Sequence, residues 1–440
     1  MSFNYKSVII LLFALIFTLS PLYANSNPDS EHDNSFFLPT YPNGTSYQIK
    51  PLDLNGDGFN DILFSTGTTS RIFWGSRQGY SNDSKTDILS PSAGGVCVAD
   101  LNKDEYQDIV FACFSDKSYI YWGSKNGFSN SSKTELETAN AWAVSVSDLN
   151  KDGWLDIVFA NYNEIEGSSS FIYYGGPGGF SKSNRVDLPT RKAFGVTISD
   201  LNNDGWPDIV FCNYNGTKSY IYWGSASGFS ISNRSDINTV GAGGVSVRDL
   251  NNDGFKDIVF GNSDSSANSY IYWGSASGYS NSQRSLIPSS YVYGASVEDL
   301  NKDGYLDIVL TSYSGASKVN SYIYWGSPSG YSASNRTLLP TKGTAGVGIC
   351  DLNKDGWLDI VFSNSESSTS TVYWGGPLGY SIQNKTEFLV TESTGVTVVM
   401  QHYNAFVRKE LPMEKISLIL GLGGARSTGE FVQDVNASIT

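Results

Sequence analysis

One nine-residue phrase recurs seven times in this 440-residue chain: DLNGDGFND from Asp53, DLNKDEYQD from Asp100, DLNKDGWLD from Asp148, DLNNDGWPD from Asp200, DLNNDGFKD from Asp249, DLNKDGYLD from Asp299 and DLNKDGWLD from Asp351. A single copy would be ordinary turn chemistry, because Asp, Asn and Gly all favour turns. Seven copies in register constrain the chain far more. A hard cation such as calcium takes about six to eight oxygen ligands, and a tight loop aims side chains one, three, five and nine at it while the seventh residue offers its carbonyl. The sixth residue, glycine in six copies, takes the positive φ that lets the chain wrap the ion.

The expected ligand sets are therefore Asp53, Asn55, Asp57, Phe59 and Asp61; Asp100, Asn102, Asp104, Tyr106 and Asp108; Asp148, Asn150, Asp152, Trp154 and Asp156; Asp200, Asn202, Asp204, Trp206 and Asp208. The last three are Asp249, Asn251, Asp253, Phe255 and Asp257; Asp299, Asn301, Asp303, Tyr305 and Asp307; and Asp351, Asn353, Asp355, Trp357 and Asp359. Up to seven Ca2+ ions are expected, with the site at Asp100 the weakest, since Glu105 replaces its loop glycine. A non-glycine residue at positive φ costs about 1 kcal/mol or more. The loop is not an EF-hand, which places a glutamate at position twelve; here that slot holds Phe64 and its apolar equivalents.

The loops start 47, 48, 52, 49, 50 and 52 residues apart, a period that signals solenoids, propellers or arrays. In the fifth unit GGVSVRDL precedes the loop, DIVFGN follows it, and SYIYWGSASGYS and RSLIP come next. These are four short strands, and no unit holds a ten-residue stretch of helical period. The expected fold is all-β: a seven-bladed β-propeller of four-stranded antiparallel blades. Each calcium loop joins the first and second strands of its blade, so all seven lie on one face, together with the GSxxG turns after the third strands. SFFLP at 35–39 reads as a fourth strand ahead of the first loop, and GVTVV at 395–399 as a first strand behind the last. One of these two supplies the closing strand.

Residues 1–24 carry Lys6, an apolar run from Val8 to Leu19 and PLYA ending at Ala24, the pattern of a signal peptide. An uncleaved anchor is the alternative. We expect a linker over 25–34, the propeller over 35–400 and a non-repeat tail over 401–440, and place the protein as secreted or at the cell surface. The tail's apolar run, Ile416 to Leu422, is too short to span a bilayer, so no transmembrane span is expected after signal cleavage. Cys97, Cys113, Cys212 and Cys350 fall at unlike places in different repeats and are expected as buried free thiols. The formal charge is −14, and seven divalent ions would bring the chain close to neutral. Acidity of this origin argues against nucleic-acid partners, which need basic patches. Five of eight glycosylation sequons, at Asn82, Asn130, Asn233, Asn335 and Asn384, follow the GSxxG turns; the others are Asn43, Asn215 and Asn436.

The DxNxDGxxD loops at about fifty-residue spacing, with YWGSxxG(F/Y)S in each unit, resemble FG-GAP and VCBS repeats, the family that includes the N-terminal propeller of integrin alpha subunits. The resemblance covers Asp53 to about Tyr380. It implies a calcium-bearing propeller; for function it implies adhesion receptors, lectin-like proteins or some polysaccharide lyases. This chain has a loop in all seven units and no stalk domains, so receptor-style signalling is not implied.

Aromatics at loop position seven, and Trp74, Trp122, Tyr174, Trp223, Trp273, Trp325 and Trp374 on the third strands, repeat in every blade and are expected to serve packing. Function is sought where repeats differ, because loops on a rigid scaffold carry binding. The connections opposite the calcium face carry Trp142, Arg191, Lys192, Phe194, Tyr291, Tyr293 and Lys342; with Tyr162 and Tyr214 these are expected to form an aromatic and basic rim around the central channel. Catalysis has little to work with: the two histidines, His32 and His402, lie outside the repeats. The expectation is a non-enzymatic module for a carbohydrate or extracellular protein, with a polysaccharide lyase or a surface-assembly module as alternatives.

Overall fold

The computed structural model describes residues 50–163, 168–214, 216–265, 268–313, 319–390, 393–397 and 399–400. The expected signal peptide, the linker, the strand at 35–39, the tail, both histidines and the sequons at Asn43, Asn215 and Asn436 lie outside the described residues. Each repeat folds into one four-stranded antiparallel sheet. In the fifth, the strands are Ala242–Arg248, Asp257–Asn262, Ser269–Tyr272 and Arg284–Ile287, laid side by side in chain order. The first strand of each unit packs against the first strands of its two neighbours, and the series returns to its start. Seven four-stranded blades thus form a closed propeller ring, numbered I to VII here after their loops.

The DIVF runs make the second strands, and in blades II to VII all six residues of that strand are buried. A strand flanked within its own sheet and covered on both faces by adjacent blades has no solvent side, which is why it reads as a continuous apolar run rather than an alternation. Buried apolar side chains fall into seven clusters, each drawn from two adjacent blades. The core is therefore a set of seven seams. All four cysteines are buried and free, and Cys97 sits opposite Val110 while Cys113 sits opposite Ala93.

Most seams carry a further tie. A tyrosine ending the third strand donates its hydroxyl to a carbonyl at the end of the preceding blade, as in Tyr173 to Glu137 O (2.6 Å), Tyr272 to Asn238 O (2.6 Å) and Tyr373 to Pro340 O (2.6 Å). Blade I has Phe73 at that place, and its seam with blade VII is held differently: Arg71 Nη1 donates to Leu389 O (2.8 Å), and Leu389 N donates to Asn82 Oδ1 (3.0 Å).

Ring closure comes from the C-terminal candidate. Ser393–Thr397 is the innermost strand of blade I, with Leu63 opposite Thr397 and Phe64 opposite Val396, and Lys50–Pro51 pairs with Val399–Met400. One sheet is thereby built from both ends of the repeat array.

Candidate functional site

Two sets of residues are candidates: the loops on one face and the channel mouth on the other. In every loop the position-nine aspartate is fully buried, and its two oxygens accept backbone N–H groups from opposite sides. Asp156 takes Leu149 N (2.8 Å) and Gly175 N (2.9 Å); Asp257 takes Leu250 N (2.8 Å) and Gly274 N (2.7 Å). One acceptor ties the loop to itself and the other ties it to the turn after the third strand. Positions one, three and five organise the rest: in blade V, Asp253 N donates to Asp249 Oδ1 (3.1 Å), Gly254 N to Asp249 Oδ2 (2.8 Å) and Asn251 Nδ2 to Asp253 Oδ2 (2.9 Å).

Burial pushes the position-nine carboxyls up to about 7, opposed by the two N–H groups and reinforced by the loop's other aspartates, as at Asp61, Asp156 and Asp257. No lysine or arginine pairs with a loop carboxylate among the described residues. The donor set is all oxygen and carries three carboxylates, which suits a hard cation. In the form described, these oxygens serve the backbone, and no three acidic, His or Cys groups converge at metal-holding geometry among the described residues. Each carboxylate oxygen keeps a second lone pair.

The sixth-place glycines have positive φ, from 82° at Gly58 to 89° at Gly254, and Glu105 is held at 74°. Glu105→Gly is therefore expected to stabilise the ring by about 1 kcal/mol, seen as a melting temperature raised by a degree or more; an unchanged or lower value would show that the turn is not strained. The sequence reading missed position four, which also has positive φ in every loop: Gly56, Lys103, Lys151, Asn203, Asn252, Lys302 and Lys354. Several of these residues reach the next loop round the ring. Lys103 lies over Trp154 (4.1 Å), Lys151 over Trp206 (4.3 Å) and Lys302 over Trp357 (4.5 Å), while Asn203 Nδ2 donates to Gly254 O (2.9 Å) and Lys354 Nζ to Gly58 O. The position-seven tryptophans Trp154, Trp206 and Trp357 thus each meet a lysine of the preceding blade. The third-strand tryptophans bond within the blade, as Trp122 Nε1 does to Thr134 Oγ1 (2.9 Å), and stack across seams, as Trp223 does on Tyr279.

At the other end of the channel, each first strand opens with a register shift, an extra residue opposite the second strand. Bulges re-aim side chains. In blades III and IV the extra residues are Trp142 and Phe194, and in blade VI the shifted segment contains Tyr293. Blade V has Gly243 at the matching place, so Tyr293 meets blade IV directly: Phe194 at 5.4 Å between ring centroids, and Tyr214 through a 3.0 Å hydroxyl–hydroxyl bond. Trp142 stacks on Phe194 (4.6 Å) and Tyr162 joins both.

Two more rings complete the arc: Phe114, 42% exposed, against Trp142 and Tyr162, and Tyr313 against Tyr293 (4.8 Å). The sequence reading missed both, though register marks them, since Phe114, Tyr162, Tyr214 and Tyr313 each stand fourteen residues after the first aspartate of their loop. Burial, with help from the Tyr214 hydroxyl, pushes the Tyr293 phenol well above its ordinary range. Lys192 lies 5.8 Å from the Tyr162 ring. Two rim expectations are not met: Arg191 is exposed and joins no ring among the described residues, and Tyr291, 39% exposed, sits instead on the flank of blade VI. Tyr291 precedes the bulge, at a turn position with a φ of 52°.

Six overlapping segments, 53–111, 100–159, 148–211, 200–260, 249–310 and 299–362, match the FG-GAP-like repeat. The chain belongs to the FG-GAP-like repeat family. No curated protein matches it. Among solved structures it is similar to an Agrocybe aegerita lectin described as recognising non-reducing terminal N-acetylglucosamine (15% identity, TM-score 0.46, 79% of this chain and 93% of that one). It is also similar to a chain of the complex of BBS1N with ARL6DN (10%, 0.47, 72% and 87%) and to one of a nidogen/laminin complex (9%, 0.42, 78% and 100%).

Proposed function

We propose that this protein is a secreted or cell-surface binding module, without catalytic activity, in which calcium stiffens the ring and the aromatic arc receives a carbohydrate or an extracellular protein. The observation that carries this reading is the arc itself. Seven rings from blades II, III, IV and VI converge at one end of the channel, and every one stands where other repeats have Gly, Ala, Ser or Thr. Residues that differ between blades are not needed for the blade, and aromatic faces suit sugar rings and peptide anchors alike. The loops support calcium through their oxygen donors and uncompensated carboxylates, and glycans on the exposed sequons fit the same compartment.

The test is a panel of glycans and extracellular proteins screened in calcium, followed by Phe114→Ala and Trp142→Ala. Removing a central aromatic anchor costs about 2 kcal/mol or more, so binding should weaken at least tenfold while the melting temperature of the exposed Phe114 variant holds. Undiminished binding in both variants would defeat the arc as the site. The same preparations incubated with polyuronides should yield no ultraviolet-absorbing unsaturated ends; their appearance would make the chain a lyase.

A further inference from the structure

The fourth strand shows a second departure from the repeat, away from the arc. Its first residue is basic in every blade and its third is acidic in five: Asp87, Glu135, Asp187, Asp236 and Glu387. Each of these acids is ion-paired. In blade III the pairing is a fork, with Arg185 Nε to Asp187 Oδ1 (2.7 Å) and Nη2 to Oδ2 (3.0 Å). Blades V and VI carry Leu286 and Leu338 instead, 55% and 45% exposed.

In blade VI this change coincides with a groove of about 270 Å³ on the flank of the ring, lined by Ser290, Tyr291, Asn320, Tyr322, Arg336 and Leu338 among others. Arg336 makes two hydrogen bonds, both from Nη1, to Pro288 O (3.0 Å) and to the Tyr324 hydroxyl (2.7 Å). Its Nε and Nη2, the edge that holds the carboxylate in blade III, have no acceptor among the described residues. Its guanidinium stands 5.4 Å from the Tyr322 ring, against 3.9 Å for Arg234 over Tyr220 and 4.2 Å for Arg284 over Tyr270. The looser stack leaves the Tyr322 face open toward the groove.

We infer that the groove beside blade VI binds a carboxylate-bearing sugar residue, a uronate, whose carboxylate takes the Arg336 edge that an aspartate fills in blade III. A planar guanidinium fork matches a carboxylate bidentately. The rest of the lining suits a single sugar ring: Tyr291, Tyr322 and Leu338 offer apolar surface for its C–H face, and Ser290 and Asn320 offer neutral donors and acceptors for its hydroxyls. The site is separate from the channel mouth and does not depend on the arc.

The experiment is calorimetric titration of the full chain in calcium with trigalacturonate, with the matching neutral galactose trisaccharide and with a tri-glutamate peptide. Trigalacturonate should bind at least tenfold more tightly than the neutral sugar and the peptide. Arg336→Gln should cost tenfold or more. Leu338→Asp, which restores the internal partner seen in blade III, should do the same while raising or preserving the melting temperature. Arg234→Gln, in a blade whose arginine is already paired, should leave the titration unchanged. Equal binding of the neutral trisaccharide, undiminished binding by Leu338→Asp, a tighter peptide than sugar, or no heat from the parent chain would each overturn the assignment.

Discussion

Chelation is expected to lower the melting temperature of the ring by about 10 °C or more. A site at a hundredfold excess of ligand over its dissociation constant contributes about 2.7 kcal/mol, so seven independent sites would supply on the order of 20 kcal/mol, and each kcal/mol moves the midpoint of a domain this large by about 1–2 °C. Two variants in one loop separate the ion from the scaffold. Asp253 is exposed and serves its own loop, so Asp253→Ala should cost stability in calcium and almost none in EDTA. Asp257 is fully buried between Leu250 N and Gly274 N. Asp257→Ala leaves two N–H groups unpaired at about 1–3 kcal/mol each, a loss of ~2–6 kcal/mol that persists in EDTA, with the loss of a calcium ligand added to it in calcium. Equal losses for Asp253→Ala in the two buffers would sink the metal reading, and an unchanged melt in EDTA for Asp257→Ala would sink the carboxylate as a structural tie.

Ending the chain before Ser393 should have the largest effect of all. It removes the innermost strand of blade I, strips the ladder partners from Leu63 to Thr66 and opens the seam that buries Phe64, Phe73, Val361 and Phe388. A ring cut at one seam exposes two blade faces and a row of unpaired strand groups, which is a template for association. The truncated chain should lose its cooperative melt and elute as aggregate, whereas ending it after Met400 should preserve the melt. A monomeric, cooperatively melting product lacking 393–400 would show that the closing strand is dispensable.

The sequence determined the repeat, the strands and the loops, because these are local: alternation, turn glycines and the nine-residue spacing act within a few residues of one another. It also located Trp142, Tyr162, Phe194, Tyr214 and Tyr293 as places where the blades differ. What it could not supply was anything that depends on two distant segments meeting. The bulge that turns Trp142 and Phe194 inward exists only in the register between strands, and Gly243 matters only because its missing side chain lets Tyr293 of blade VI reach Phe194 and Tyr214 of blade IV. The edge of Arg336 stands open because Leu338 replaces the acidic partner, and the groove beside it takes shape only where the connection leading into blade VI meets the second, third and fourth strands of that blade. Both ends of the array offered a strand to close the ring, and the tertiary structure selected the C-terminal one, since blade VII already has its own fourth strand at Lys385–Leu389 while blade I takes its first strand from Ser393–Thr397. Local chemistry sets the blade; the packing of blade on blade sets the sites.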